Sequence, residues 1–129
     1  MFGNSPISWG SKKQSIVATS TTEAEYIATS ECVKKVLWIR NILSELFNFN
    51  KPITIFTDNM SSLKTIENGE LNTKLKHISI KFHFNRDNIL NKRILLKYKQ
   101  TEEMLADALT KNINGSKMSK FTDKIFYKN

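Results

Sequence analysis

The chain has 129 residues, with 20 Lys and Arg against 12 Asp and Glu and a formal net charge of +8 at pH 7. That length suits one domain with a real core and little surplus stability, and the charge favours polyanionic partners, nucleic acid first. A single cysteine, Cys32, rules out an intramolecular disulfide and argues against a cysteine-based zinc site; no apolar run is long enough for a membrane span, and Met1 to Pro6 has neither the basic nor the apolar region of a signal peptide.

Pro6 to Trp9 reads as a short strand or strand end, and Ser11 to Gln14 as a turn. Ser20-Thr21-Thr22-Glu23 has the form of a capping box, and Thr22 to Glu25 repeats the spacing. Apolar residues then recur at Val33, Val36, Leu37, Leu43, Leu46 and Phe47, which predicts a helix to about Phe47. Lys51-Pro52 breaks the chain, and the β-branched and aromatic run Ile53 to Thr57 predicts a buried strand ending at Asp58. A second helix runs from about Met60 to Glu67 and stops at Asn68-Gly69.

Ile78, Ile80, Phe82 and Phe84 alternate like a strand, whereas Leu75, Ile78, Phe82 and Ile89 fit a helix, so periodicity leaves this stretch open. Arg93 to Tyr98 predicts another strand. Thr101 then caps a short helix with Glu102 and Glu103 in its first turn and an apolar face of Met104, Leu105, Ala108 and Leu109. After Asn114-Gly115, a last helix carries Met118, Phe121, Ile125 and Phe126. This alternation predicts a mixed α/β layer in one domain spanning residues 1–129.

Three carboxylates stand out, each with an ordinary alternative role. Glu25 sits in the first turns of the long helix and could serve its N-terminal dipole, although Glu23 already suffices for that. Asp58 ends a strand, where α/β proteins place their sites, but could simply cap the next helix. Asp107 lies off the apolar face of its helix and could pair with Lys111, four residues on. Taken together, they could converge at one end of a sheet and bind hard divalent cations through oxygen. Two such cations can clamp the attacking and leaving oxygens of a phosphodiester displacement. His77 and His83 are six apart, which suits packing better than a shared metal.

Several motifs resemble the ribonuclease H domain of copia-type (Pseudoviridae-like) LTR retrotransposon Pol polyproteins. They are Ser8 to Gln14, Val17 to Tyr26, Leu37-Trp38, Ile55 to Asn59, Lys76-His77-Ile78 with Lys81 to Phe84, Thr101-Glu102, and Leu105 to Lys111. The resemblance implies a ribonuclease H-like fold, a five-stranded mixed sheet flanked by helices. It implies hydrolysis of the RNA strand of an RNA–DNA hybrid with two Mg2+ or Mn2+ ions. The implied partners are the hybrid and a reverse transcriptase domain in the parent polyprotein, with no membrane. The implied setting is intracellular, in cytoplasmic virus-like particles or the nucleus. Glu25, Asp58 and Asp107 match three of the family's catalytic metal ligands, and the stretch from His77 to Leu90 is implied to be helical.

Departures from that pattern carry their own expectations. The family's first, central strand with its aspartate has no counterpart before Met1, so the chain is expected to be an incomplete domain with impaired cleavage. Ser79 stands where the family often has an acidic residue. Lys74, Lys76, Lys81 and Arg86, with Lys12 and Lys13, are candidate contacts to the hybrid backbone. The alternative reading is a non-catalytic nucleic-acid-binding remnant, or an inactive fragment, of such an element.

Overall fold

The longest element starts where Ser20, in extended conformation, accepts the backbone N–H of Glu23 at 3.1 Å, as the capping box predicts. In the computed structural model, which describes residues 6–11, 13–14, 17–18, 20–69 and 78–126, helix α1 runs over Thr21–Phe47. It buries Glu23, Tyr26, Ile27, Ser30 and Val33 along one face. Asn48 ends it in the left-handed region (φ 53°), a conformation asparagine tolerates well, with its N–H bonded to Ser44 O at 3.0 Å.

Strand β1 (Ile53–Thr57) pairs in parallel with β2 (Ile94–Tyr98), Ile53 opposite Ile94 and Thr57 opposite Tyr98. A parallel pair needs a crossover. Helices α2 (Met60–Asn68) and α3 (Ser79–Leu90) lie on that connection. Asn59 caps α2, its side chain accepting Ser62 N–H at 2.9 Å, and Gly69 ends it at φ 77°, as Asn68-Gly69 predicts. The stretch that periodicity leaves open is helical over its described part, because Ile78 and Phe82 are buried one turn apart while Ile80 is 83% exposed. Beyond α3, Lys92 turns the backbone at φ 52°, and Asn88 steadies the turn by accepting Arg93 N–H at 3.0 Å through its carbonyl.

The core has two adjoining parts. Tyr26, Ile66, Ile78 and Phe82 form one, and Val33, Ile55 and Ile94 the other, with Ile89 and Leu96 packed against both. Ile55, Thr57 and Ile94 face inward, whereas Phe56, Leu95, Lys97 and Tyr98 are exposed. The result is an α/β arrangement with a two-stranded parallel sheet among the described residues.

Two compact units divide the chain. Gln14–Gln100 form one, and the residues from Thr101 onward, with those up to Lys13, form the other. In the second unit, helix α4 covers Gly115–Ile125, capped by Asn114, whose side chain accepts Lys117 N–H at 3.0 Å.

Two expectations are corrected there. Pro6 to Trp9 are not a strand, and Ile7 sits in a bend. Pro6 has no N–H to give to a ladder, and no described strand of its own unit lies beside it. The single helix expected from Thr101 is instead two 3-10 turns, Thr101–Glu103 and Leu105–Leu109, separated at the extended Met104. Their bonds close over three residues, as in Met104 N–H to Thr101 O at 3.2 Å and Thr110 N–H to Asp107 O at 3.1 Å. Neither turn fully buries a residue, so little packing rewards a full α-helix.

Candidate active site and nucleic-acid surface

Asp58 follows β1 directly, and the backbone around it is fixed from both sides. Thr57 O accepts Lys99 N–H at 2.9 Å, Asn59 N–H donates to Thr57 Oγ1 at 3.1 Å, and Asn59 takes the helix cap. The capping role that Asp58 could have filled therefore belongs to Asn59. Asp58 is half-buried at the carboxyl end of the sheet, the end at which α/β proteins assemble sites.

Glu25 is half-buried on the second turn of α1, next to Tyr26. The cap is made by Ser20 and Glu23 N–H, so Glu25 is not needed for it. Glu23, by contrast, is fully buried. Tyr26 is the residue that connects this turn to the strand end. Its hydroxyl donates to Ser62 O at 3.3 Å, fastening the start of α1 to the first turn of α2, four residues beyond Asp58. Its ring meets Phe82 edge-on, with centroids 6.1 Å apart. Burial pushes the Tyr26 hydroxyl above its usual range, partly offset by hydrogen bonding with Thr65, so it stays a neutral donor. Gln14 adds a second tie, donating through Nε2 to Ala24 O at 2.9 Å.

Asp107 belongs to the second unit. Its side chain is 13% exposed and pairs with Lys111 Nζ at 3.0 Å, the ordinary partner that the spacing predicts. Within each unit, among the described residues, no three His, Cys, Asp or Glu side chains gather closely enough to hold one metal ion. The larger unit brings the segments of Glu25 and Asp58 together.

Of the candidate nucleic-acid contacts, Lys12, Lys74 and Lys76 lie outside the described residues, as does His77. Lys13 is exposed. Lys81 is half-buried, its ammonium 3.9 Å from Glu31 Oε1. The Arg86 guanidinium lies directly against Gly69, where a β-carbon would collide with it. His83 is exposed, its ring edge-on to Phe82 at 5.3 Å. Sequence reasoning missed Tyr26, whose partner is 36 residues away, and Asn59, whose cap geometry is visible in Asn59 to Ser62 only in retrospect.

Along 125 residues the chain is 35% identical to the retrovirus-related Pol polyprotein from transposon RE1 of Arabidopsis thaliana, a match covering 96% of this chain and 8% of that protein. Its homologues are retrovirus-related Pol polyproteins. The Pol polyprotein from transposon TNT 1-94 of Nicotiana tabacum is 35% identical over 116 residues, 90% of this chain and 9% of its own length. The Gag-Pol polyprotein of transposon Ty1-DR5 from Saccharomyces cerevisiae is 32% identical over 117 residues, 88% of this chain and 7% of its own. The chain thus spans less than a tenth of each of these Pol polyproteins. No family model matches it, and no solved structure does either. No helix among the described residues is long and apolar enough to cross a membrane.

Proposed function

We propose that this chain is the ribonuclease H segment of a copia-type Pol polyprotein and hydrolyses the RNA strand of an RNA–DNA hybrid. The observation that carries the reading is the Tyr26–Ser62 bond, which joins the turn of Glu25 to the segment of Asp58 at the carboxyl end of β1. The match to Pol polyproteins along nearly the whole chain supports it.

In this reading the fold is ribonuclease H-like, and Glu25, Asp58 and Asp107 are the ligands of Mg2+ or Mn2+. Carboxylate oxygens suit such hard cations. The ions would supply charge neutralisation at the scissile phosphate. The protein's own contribution is placement. Tyr26 sets the turn of Glu25, while Asn59 and Thr57 fix the backbone that carries Asp58. Lys13, with Lys12, Lys74 and Lys76, contacts the hybrid backbone. Lys81 and Arg86 divide their charge between that contact and their places at Glu31 and Gly69. In the longer polyprotein the segment works beside a reverse transcriptase.

The expected result is slow, magnesium-dependent release of labelled RNA from a hybrid, lost in Asp58→Asn and in Glu25→Gln while hybrid binding persists. Equal release by the parent and by Asp58→Asn would overturn the reading. The Asp107–Lys111 pair favours a second reading, a hybrid-binding remnant without catalysis, because it satisfies Asp107 without a metal. Binding with no magnesium-dependent release at all would decide for that one.

A further inference from the structure

Helix α4 carries a row of lysines that the reading above does not use. Lys117, Lys120 and Lys124 are spaced three and four apart, which places them on one helix face. All three line a cleft of about 370 Å³ that Glu102, Glu103 and Asp107 also line. Asp107 has Lys111 at 3.0 Å. Among the described residues, none of the three α4 ammonium groups has an ion-pair partner. Lys120 and Lys124 are exposed and Lys117 half-buried.

Three like charges in one row repel each other, and a polyanion relieves that repulsion by exchanging its condensed counterions for them. From Lys117 to Lys124 the row runs about 10 Å along the helix axis. One strand of a duplex presents a phosphate every 3.4 Å of axis or so, so the row spans roughly three phosphates. The carboxylates that share the cleft, Glu102, Glu103 and Asp107, disfavour phosphate beside themselves, so the lysine row is where a strand would lie.

We infer that the Lys117–Lys120–Lys124 face of α4 is a docking surface for the phosphate backbone of nucleic acid, holding one strand along the cleft that contains Asp107. The identity of that strand, part of an RNA–DNA hybrid, rests on the ribonuclease H reading.

The test is fluorescence anisotropy of a labelled RNA–DNA hybrid with the full chain, titrated across salt concentrations without magnesium. Changing Lys117, Lys120 and Lys124 together to Ala should weaken binding about tenfold or more and flatten the plot of log affinity against log salt by about 2 to 3. Alanine raises helix propensity, so α4 is not put at risk, and circular dichroism checks this. The same positions changed to Arg should retain binding. A control with the same loss of charge, Lys35→Ala with Lys64→Ala and Lys97→Ala, should keep the parental slope. Unchanged affinity and slope in the α4 variant overturns the inference, and so does an equal loss in the control. Parent binding to phosphatidylserine vesicles but not to hybrid also overturns it. Hydrolysis is judged separately. A parent that cuts hybrid alongside an α4 variant of unchanged affinity sinks the inference alone, whereas α4-dependent binding without cutting sinks the ribonuclease reading alone.

Discussion

Asn85 is fully buried on α3, and neither its Oδ1 nor its Nδ2 meets a partner among the described residues. Phe82 lies three positions before it and Ile89 four after, so it occupies the helix face that carries core residues. A buried amide left unmet costs about 1–3 kcal/mol. Asn85→Leu conserves size roughly and removes the unmet groups. It should raise stability by about 1–3 kcal/mol, read as a higher urea midpoint at an unchanged slope. A lower midpoint would mean that the amide has a partner worth keeping. The contrast with Tyr26 is instructive, since both are buried polar side chains, yet the tyrosine hydroxyl has Ser62 O and thereby positions the candidate site.

Helix endings show the same logic one scale up. Gly69 closes α2 in the left-handed region at φ 77°, and the Arg86 guanidinium occupies the space a side chain would need. The guanidinium is the far end of a flexible side chain and can swing aside, so backbone strain sets most of the cost. Gly69→Ala should therefore destabilise by about 1–2 kcal/mol in thermal or urea melts; an unchanged melt would show that α2 can end without the left-handed cap. This ending was legible in Asn68-Gly69, just as the start of α1 was in Ser20 and Glu23, because caps are local chemistry. Strand β1 was equally legible from its β-branched run. The stretch after Ile78 was not, because its apolar residues satisfy two periods at once and only packing against Tyr26 and Ile66 selects one. The helix expected from Thr101 failed for the converse reason: its pattern was right, but among the described residues its apolar face is only partly covered, with no residue of it fully buried. The carboxylates Glu25 and Asp58 could be picked out singly, whereas the tie between their segments spans 36 residues and leaves no local trace.

At the scale of the molecule, burial is unevenly shared. All described buried residues belong to Gln14–Gln100, and none lies between Thr101 and Phe126. Local opening is easiest where few apolar contacts are lost. Amide hydrogen exchange should therefore be slowest around Val33, Phe82 and Ile94 and fast throughout the two 3-10 turns and α4. Protection in α4 equal to that of β2 would contradict this distribution. Bound nucleic acid should slow exchange in α4 selectively if the lysine row holds it.

The parallel register also constrains how the protein can be made. Ile53 and Ile94 are opposite each other, so the two strands that meet are separated by a connection of 36 residues, 58–93, and such distant pairing is slow to form. A ribosome releasing this chain delivers α1 and β1 well before β2 exists. Until Tyr98 clears the exit tunnel, Ile55 and Val33 have no Ile94 to close over them, and the nascent polypeptide must carry that apolar surface uncovered, the interval in which a chaperone would have most to hold.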